Sequence, residues 1–432
     1  MVLTGVIVLV VSFVVLLILG VPISFTIGLS TLFTMLVSVD PIPAFTTIAQ
    51  RMATGLDSFA LLAIPFFILA GQIMNHGGIA RRLIRFAEVM VGGLRGGLSY
   101  VIVVACMLFG AISGSAVAAT AAIGGFLIPL MVKKGYELNF STALNITAST
   151  TGLLIPPSNI LIVYAFASGG TSVAALFLAG YMPGILVGVG LMAVAAIYSM
   201  RMGFPKGDTV GLKEGVIAFF DALPSIFMIV VVIGGIVAGY FTATEASAIA
   251  VAYAFVLAVL IYREVKWKEI PKILLDTSST TAMVMMLIAT SIAMSWIMSY
   301  VNIPQAVSST LIGLTDSKIV IFIIINIILL LVGTFMDMTP AVLIFTPIFL
   351  PVVQQLGMDP VHFGIMMVLN LCVGLCTPPV GTVLFVGTGI SNTSIEKVVK
   401  PLLPLYAVMV IGLMIVTFIP WISMWLPTLF GF

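Results

Sequence analysis

Apolar residues run through this chain in long blocks, and polar positions are confined to short gaps and to a few points inside the blocks. A helix needs about 20 apolar residues to cross a bilayer core. The blocks predict helices near 2–20, 22–38, 58–75, 138–168, 175–200, 224–240, 243–262, 278–301, 361–391 and 402–430. Two further blocks, 98–132 and 318–356, break at their middles, the first at Ser113-Gly114-Ser115. Each arm of such a block, 98–112 for example, spans about 22 Å of helix, too short for a core of about 30 Å. Both blocks therefore predict re-entrant hairpins that return to the side they came from; a kinked span is the alternative. The 138–168 and 361–391 helices carry breaks of their own, at Pro156-Pro157-Ser158 and at Pro378-Pro379.

The breaks come in two copies. Pro129, Gly135, Gly152, Pro156 and Pro157 recur as Pro351, Gly357, Gly374, Pro378 and Pro379, each 222 residues later without a gap. Interrupted apolar helices in repeated units describe a transport site inside a membrane. The expected fold class is an all-α polytopic membrane protein with two inverted repeats, two re-entrant hairpins and two discontinuous helices.

Composition agrees: 61% of the 432 residues are apolar and only 7% charged, against about a quarter charged in a soluble domain. The lipid bilayer is thus the first expected partner. A net charge of +2 gives no case for nucleic acid. Charge does fix an orientation. With the N-terminus outside, the inner loops hold Arg81, Arg82, Arg85, Arg95, Lys133, Lys134, Arg201, Lys206, Lys213, Arg263, Lys266, Lys268, Lys272, Lys397 and Lys400. Those are 15 of 17 basic residues; Arg51 and Lys318 stay outside. This is the positive-inside pattern, and drawing either hairpin as a full span would spoil it. The first hairpin then opens inward and the second outward. The apolar start has no basic leader and reads as a retained helix rather than a cleaved signal. Amphipathic stretches at Ile79–Phe86, Lys213–Phe220 and Trp267–Leu275 are expected to lie in the inner interface. Gly92–Gly97 reads as a hinge, since no strand precedes it to make a phosphate cradle.

A broken membrane helix leaves backbone groups without partners, carbonyls suited to a cation and N–H groups suited to an anion. Ser113, Ser115, Asn145, Ser149, Thr150, Thr151, Ser158 and Asn159 gather hydroxyl and amide groups in the first copy. Thr334, Asp337, Thr339, Thr377 and Thr382 do so in the second, and Gly114, Gly333 and Gly381 permit close backbone approach. Hard oxygen donors with little charge suit Na⁺ and exclude a transition metal; small residues packed at helix crossings are the plain alternative. Asp337 is a candidate cation ligand at a hairpin tip. Glu245, after Thr242, reads as a helix cap. His76 and His362 are expected at interface positions without a catalytic role. Cys106, Cys372 and Cys376 read as inert buried thiols. No nucleophile–base set and no nucleotide loop occurs, so the chain is not expected to be an enzyme or to use ATP.

Six stretches carry a more specific signal: PFFILAGQIM (65–74), GAISGSAVA (110–118), GLLIPPSN (152–159), FTATEA (241–246), GTFMDMTPA (333–341) and CTPPVG (376–381). In these, and over essentially its whole length, the chain resembles the large membrane subunit of TRAP transporters, the tripartite ATP-independent periplasmic family. The resemblance implies Na⁺-driven import of an organic acid, of the C4-dicarboxylate or sialic acid class, across a bacterial inner membrane. It also implies a periplasmic substrate-binding protein and a separate small subunit of four helices. The implied fold is the elevator architecture of the ion transporter superfamily, with scaffold at 1–97 and 201–317 and transport domain at 98–200 and 318–432. Substrate roles carry onto Ser113, Ser115, Pro157, Ser158, Asn159, Thr339, Pro379 and Thr382. Na⁺ roles carry onto Ser113, Gly114, Asn145, Ser149, Pro156, Gly333, Asp337, Thr377 and Gly381. Ala118-Ala119 departs from the family, where a polar or acidic residue is expected after the first tip. A stand-alone carboxylate transporter, an intramembrane enzyme and a channel are the rival expectations.

Overall fold

Glycines, prolines and capping hydroxyls cut the apolar blocks into twenty α-helices among the described residues. The computed structural model describes residues 2–207, 211–315 and 317–432; Met1 of the 1–97 span, and 208–210 and 316 of the 201–317 span, lie outside the described residues. In chain order, α1 (Val2–Ile18) turns at Gly20 into α2 (Ile23–Ser38), and α3 (Pro41–Gly55) follows. A 3-10 turn at Phe59–Leu62 leads into α4 (Ala63–His76), and α5 (Ile79–Val91) follows it. Helices α6 (Gly97–Ser113) and α7 (Ala116–Lys133) make the first hairpin. A broken helix comes next, α8 (Leu138–Thr151) and α9 (Asn159–Ala167), then α10 (Val173–Arg201), α11 (Leu212–Val237) and α12 (Ala243–Phe255). After a π-helical turn at Val256–Ile261 come α13 (Ile270–Tyr300) and α14 (Ile303–Leu314). The second hairpin is α15 (Lys318–Phe335) with α16 (Met338–Gln355), and the second broken helix is α17 (Pro360–Leu375) with α18 (Thr382–Ile390). The chain ends with α19 (Ile395–Phe418) and α20 (Trp421–Leu429). Nine segments of the described residues are long and apolar enough to cross a membrane.

Each hairpin packs on its broken helix by backbone contact at paired glycines. Gly110 of α6 meets Gly152 just past α8, where a Cβ on Gly152 would stand 2.9 Å from the Cys106 carbonyl. Gly333 of α15 meets Gly374 of α17, and a Cβ on Gly374 would stand 2.7 Å from the Gly333 backbone. Small residues let membrane helices approach this closely, and dispersion between the two backbones holds them. Buried amides brace the same contacts. Asn145 of α8 donates to the Thr120 carbonyl of α7 at 3.0 Å. Asn370 of α17 donates to the backbone and side-chain oxygens of Asn326 in α15, at 2.9 and 2.8 Å. The arms close at their bases as well. Leu98, Lys134 and Tyr136 share one cavity at the foot of the first hairpin, and Lys318 reaches Gly357 at the foot of the second.

Several expectations need correction. The hairpin arms run to 17 and 18 residues, and Ala116–Lys133, Lys318–Phe335 and Met338–Gln355 are among the segments long enough to span, so the expected shortness of the arms does not hold. The stretch 402–430 is two helices, because Pro420 stops the first at Phe418. Lys213–Phe220 is the first part of α11, and most of Trp267–Leu275 is the first part of α13; only Ile79–Phe86 forms a separate amphipathic helix, α5. Helices α3 and α14 were not expected. His362 is buried and bonds the Val416 carbonyl at 2.8 Å, inside the protein rather than at an interface. Glu245 is a cap as expected: its carboxylate accepts from Thr242 N–H at 2.8 Å while the Thr242 hydroxyl accepts from Glu245 N–H.

Candidate functional site

At the first tip, helix α6 stops because Gly114 takes a left-handed backbone (φ 62°), which glycine adopts without strain. Ser115 is extended and caps α7 by accepting from the Ala118 N–H at 3.2 Å. The Ser113 hydroxyl sits across the turn, 3.4 Å from both the carbonyl and the N–H of Ser115. The tip presses on two neighbours: a Cβ on Gly114 would stand 2.8 Å from the Asn159 amide, and one on Gly71 of α4 would stand 2.9 Å from the Ser113 carbonyl.

The second tip runs through Met336 and Asp337, both extended, with Asp337 at the N-terminus of α16. Its side chain forms no N-cap bond and engages only the adjacent Met338 N–H. The carboxylate is instead exposed in a cavity deep in the protein. Among the described residues, no basic group pairs with it.

The breaks close on themselves. In the first, Leu153 and Leu154 N–H donate to Thr150 and Thr151, and the Ser158 hydroxyl donates to the Leu153 carbonyl. The second has Thr377 N–H on the Gly374 carbonyl at 2.9 Å and the Thr377 hydroxyl on the Val373 carbonyl at 2.8 Å. Both Pro-Pro bonds are cis. Gly381, at φ 31°, donates its N–H to Thr334 of the second tip at 3.2 Å, and a Cβ there would stand under 3 Å from the Leu375 and Thr377 carbonyls. Several backbone oxygens thus converge where only glycine fits.

A cavity of about 330 Å³ joins all four elements. Of the expected site residues it is lined by Ser113, Gly114, Ser115, Asn159, Asp337, Thr339 and Thr382. Asp337 is the one ionisable group in its lining. The Thr382 hydroxyl there is buried and has no partner among the described residues, an oxygen available to a ligand. Pro156, Pro157, Ser158, Gly333, Thr377, Pro379 and Gly381 are not part of this lining. Asn145 and Ser149 are fully buried; Ser149 shares a hydrogen bond of 2.6 Å with Thr120. Sequence reasoning passed over Gln72 and Asn75 of α4 and Thr280 of α13, which line the cavity too. The two amides were visible as polar points in the otherwise apolar 58–75 block. At the departure noted after the first tip, Ala118 does line the cavity, so this wall is apolar.

Known proteins agree with this architecture. The YdaH transporter of Alcanivorax borkumensis superposes with a TM-score of 0.65 over 90% of each chain, at 13% identity, which shows a shared fold. YgiK, an uncharacterized protein of Salmonella typhimurium, is 54% identical over 97% of this chain and 96% of its own. The C4-dicarboxylate TRAP transporter large permease protein DctM of Rhodobacter capsulatus is 40% identical over 95% of this chain and 96% of its own. The family described as "Tripartite ATP-independent periplasmic transporter, DctM component" matches residues 10–422. With that match over nearly its whole length, the chain belongs to the DctM family of tripartite ATP-independent periplasmic transporters, a transport permease subunit and not an enzyme.

Proposed function

We propose that this permease imports an organic acid anion driven by a Na⁺ gradient, with a periplasmic binding protein delivering the substrate and a small membrane subunit completing the complex. The carrying observation is the cavity in which both hairpin tips and both helix breaks meet around one unpaired carboxylate and one unpartnered hydroxyl. The substrate carboxylate fits the N-terminal ends of α7, α9 and α18, where N–H groups and helix dipoles favour an anion. Ser115, Asn159 and Thr382 stand at or beside those ends. Na⁺ fits the opposite chemistry. The carbonyls crowded around Gly381, with Asp337 near by, are hard donors, and the tip carbonyl of Ser113 is the corresponding donor in the first copy. Binding a cation there would hold the tips in place for the anion, which is how two ligands become coupled.

A C4-dicarboxylate is the first substrate to test, since the Rhodobacter relative bears that name; a sialic acid is the second. The two hairpins, each seated on its broken helix by a glycine pair, support an inverted repeat. The clustering of basic loops supports an outside N-terminus. Arg82 pairs with Glu264, and the backbones of Arg95 and Lys206 form an antiparallel bridge, so loops assigned inside do meet. The proposed division is a scaffold of 1–97 and 201–317 and a moving transport domain of 98–200 and 318–432.

Uptake of labelled succinate into proteoliposomes tests the reading, with this chain and its small subunit, an outside-high Na⁺ gradient, and the binding protein present or absent. Uptake requiring both Na⁺ and the binding protein is the expected result. Uptake with Na⁺ alone would favour a stand-alone carrier, and Na⁺-independent uptake would remove the ion coupling.

A further inference from the structure

A second cavity, of about 320 Å³, lies along the same long helix α13 that borders the first. Thr280 and Val284 face the tips, whereas Ser291, Ser295 and Ser299 face this second space. The two levels are roughly 20 Å apart along the helix, at 1.5 Å per residue. By the charge pattern, the second cavity is on the outer side.

Its chemistry suits an anion. Arg51 of α3, one of two basic residues assigned outside, lines it and lies over the Trp296 ring at 5.4 Å. Trp296 in turn stacks on Tyr300, with ring centres 5.3 Å apart. The guanidinium is therefore placed by an aromatic face and is not tied to a carboxylate: among the described residues Arg51 has no ion-pair partner. No acidic residue is among those lining the cavity. Ser291 is 4% exposed, lines the same space, and has a hydroxyl without a hydrogen-bond partner among the described residues. A buried hydroxyl left unsatisfied is destabilising, so a ligand oxygen is the natural complement. The far wall comes from elements that also carry the tips and breaks, through Phe166 at the C-terminal end of α9 and Leu343 of α16.

We propose that this outer cavity is a second anion site, which takes a carboxylate of the organic acid on Arg51 and the Ser291 hydroxyl before the acid reaches the tips. The proposal rests on the organic-acid reading above and adds a site to it. Arg51 supplies charge-assisted donors to one carboxylate, and Ser291 a hydroxyl donor. The incoming anion is held against α13 at the level to which the tips would have to rise.

Trp296 provides a direct readout, because a carboxylate drawn to Arg51 changes the environment of the ring beneath it. The full chain, carrying Trp267→Phe, Trp421→Phe and Trp425→Phe, would be titrated in detergent with sodium succinate and, separately, sodium gluconate, against sodium chloride of matched ionic strength. A saturable change in Trp296 emission with either acid is expected, and not with chloride. Arg51→Gln should weaken it about tenfold or more, the scale of one charge-assisted contact, and Asp337→Asn should leave it in place. Arg51 is exposed on its helix, so its replacement does not endanger the fold. In proteoliposomes, Arg51→Gln should raise the KM for uptake by a similar factor with kcat nearly unchanged. No saturable response to either acid, or an equal response in Arg51→Gln, would overturn the outer site. A response without any Na⁺-dependent uptake by the parent protein would keep the site and discard the transport reading.

Discussion

Asp337 brings a carboxylate into a cavity whose other lining groups are neutral. A charge without a salt-bridge partner deep in a membrane protein is costly, and such groups serve ions or substrates by default. Its side chain forms no N-cap bond in α16 and engages only the adjacent Met338 N–H. Asp337→Ala is therefore expected to leave a folded protein and to reduce Na⁺-dependent uptake by about a hundredfold, as loss of a charged contact of ~3 kcal/mol implies. Uptake measured across a range of Na⁺ concentrations checks this. Normal rates with an unshifted Na⁺ dependence would reassign Asp337 to shaping the tip. Asn145 and Ser149 stand in contrast. They are expected among the Na⁺ ligands for the same chemistry, and in the fold each also hydrogen-bonds to Thr120, contacts that tie α8 to the hairpin. Residue type alone does not separate a brace from a ligand, because both are buried oxygens at a helix crossing.

The hairpins depend on backbone contact more than on side-chain packing. A Cβ on Gly374 would strike only the backbone of Gly333, and backbone cannot rotate away. Gly374→Val is expected to cost about 1–3 kcal/mol through overpacking, seen as a lower denaturation midpoint in detergent and a displaced second tip. Unchanged melting and uptake would show that α15 and α17 slip freely. These elements were legible in the sequence for a local reason. Gly, Pro and Ser inside an apolar run break a helix whatever surrounds it, so both tips and both breaks stood out. What stayed hidden depends on tertiary contact. Helix α3 is too short and too polar to stand out as a span; Ile42 and Phe45 are exposed and only Ala44 is buried. Gln72, Asn75 and Thr280 join the site because α4 and α13 pass beside the tips, a proximity that no spacing along the chain encodes. The family motifs, in contrast, were readable as strings, and the family that matches residues 10–422 is the one they point to.

Helix α13, with 31 residues, measures the whole molecule. The candidate site lies against its Thr280 and Val284, toward the end that the charge pattern places inside, and the outer cavity lies against Ser291 to Ser299. An elevator carrying the tips past a fixed α13 must bring them from one level to the other, and cysteine pairs can time that passage. Met338 of the second tip and Val284 line the same cavity, so Met338→Cys with Val284→Cys should cross-link readily without Na⁺ or substrate. Met338→Cys with Ser295→Cys begins roughly 16 Å further along the helix, from 11 residues at 1.5 Å, and should cross-link only after the tips have risen. The native Cys106, Cys372 and Cys376 are buried and give little background. A shift in yield from the first pair to the second, when Na⁺, the acid and the binding protein are supplied together, is the expected outcome. If only the first pair ever forms while uptake proceeds, the tips do not travel along α13. Alternating access would then have to come from opening of the hairpins in place.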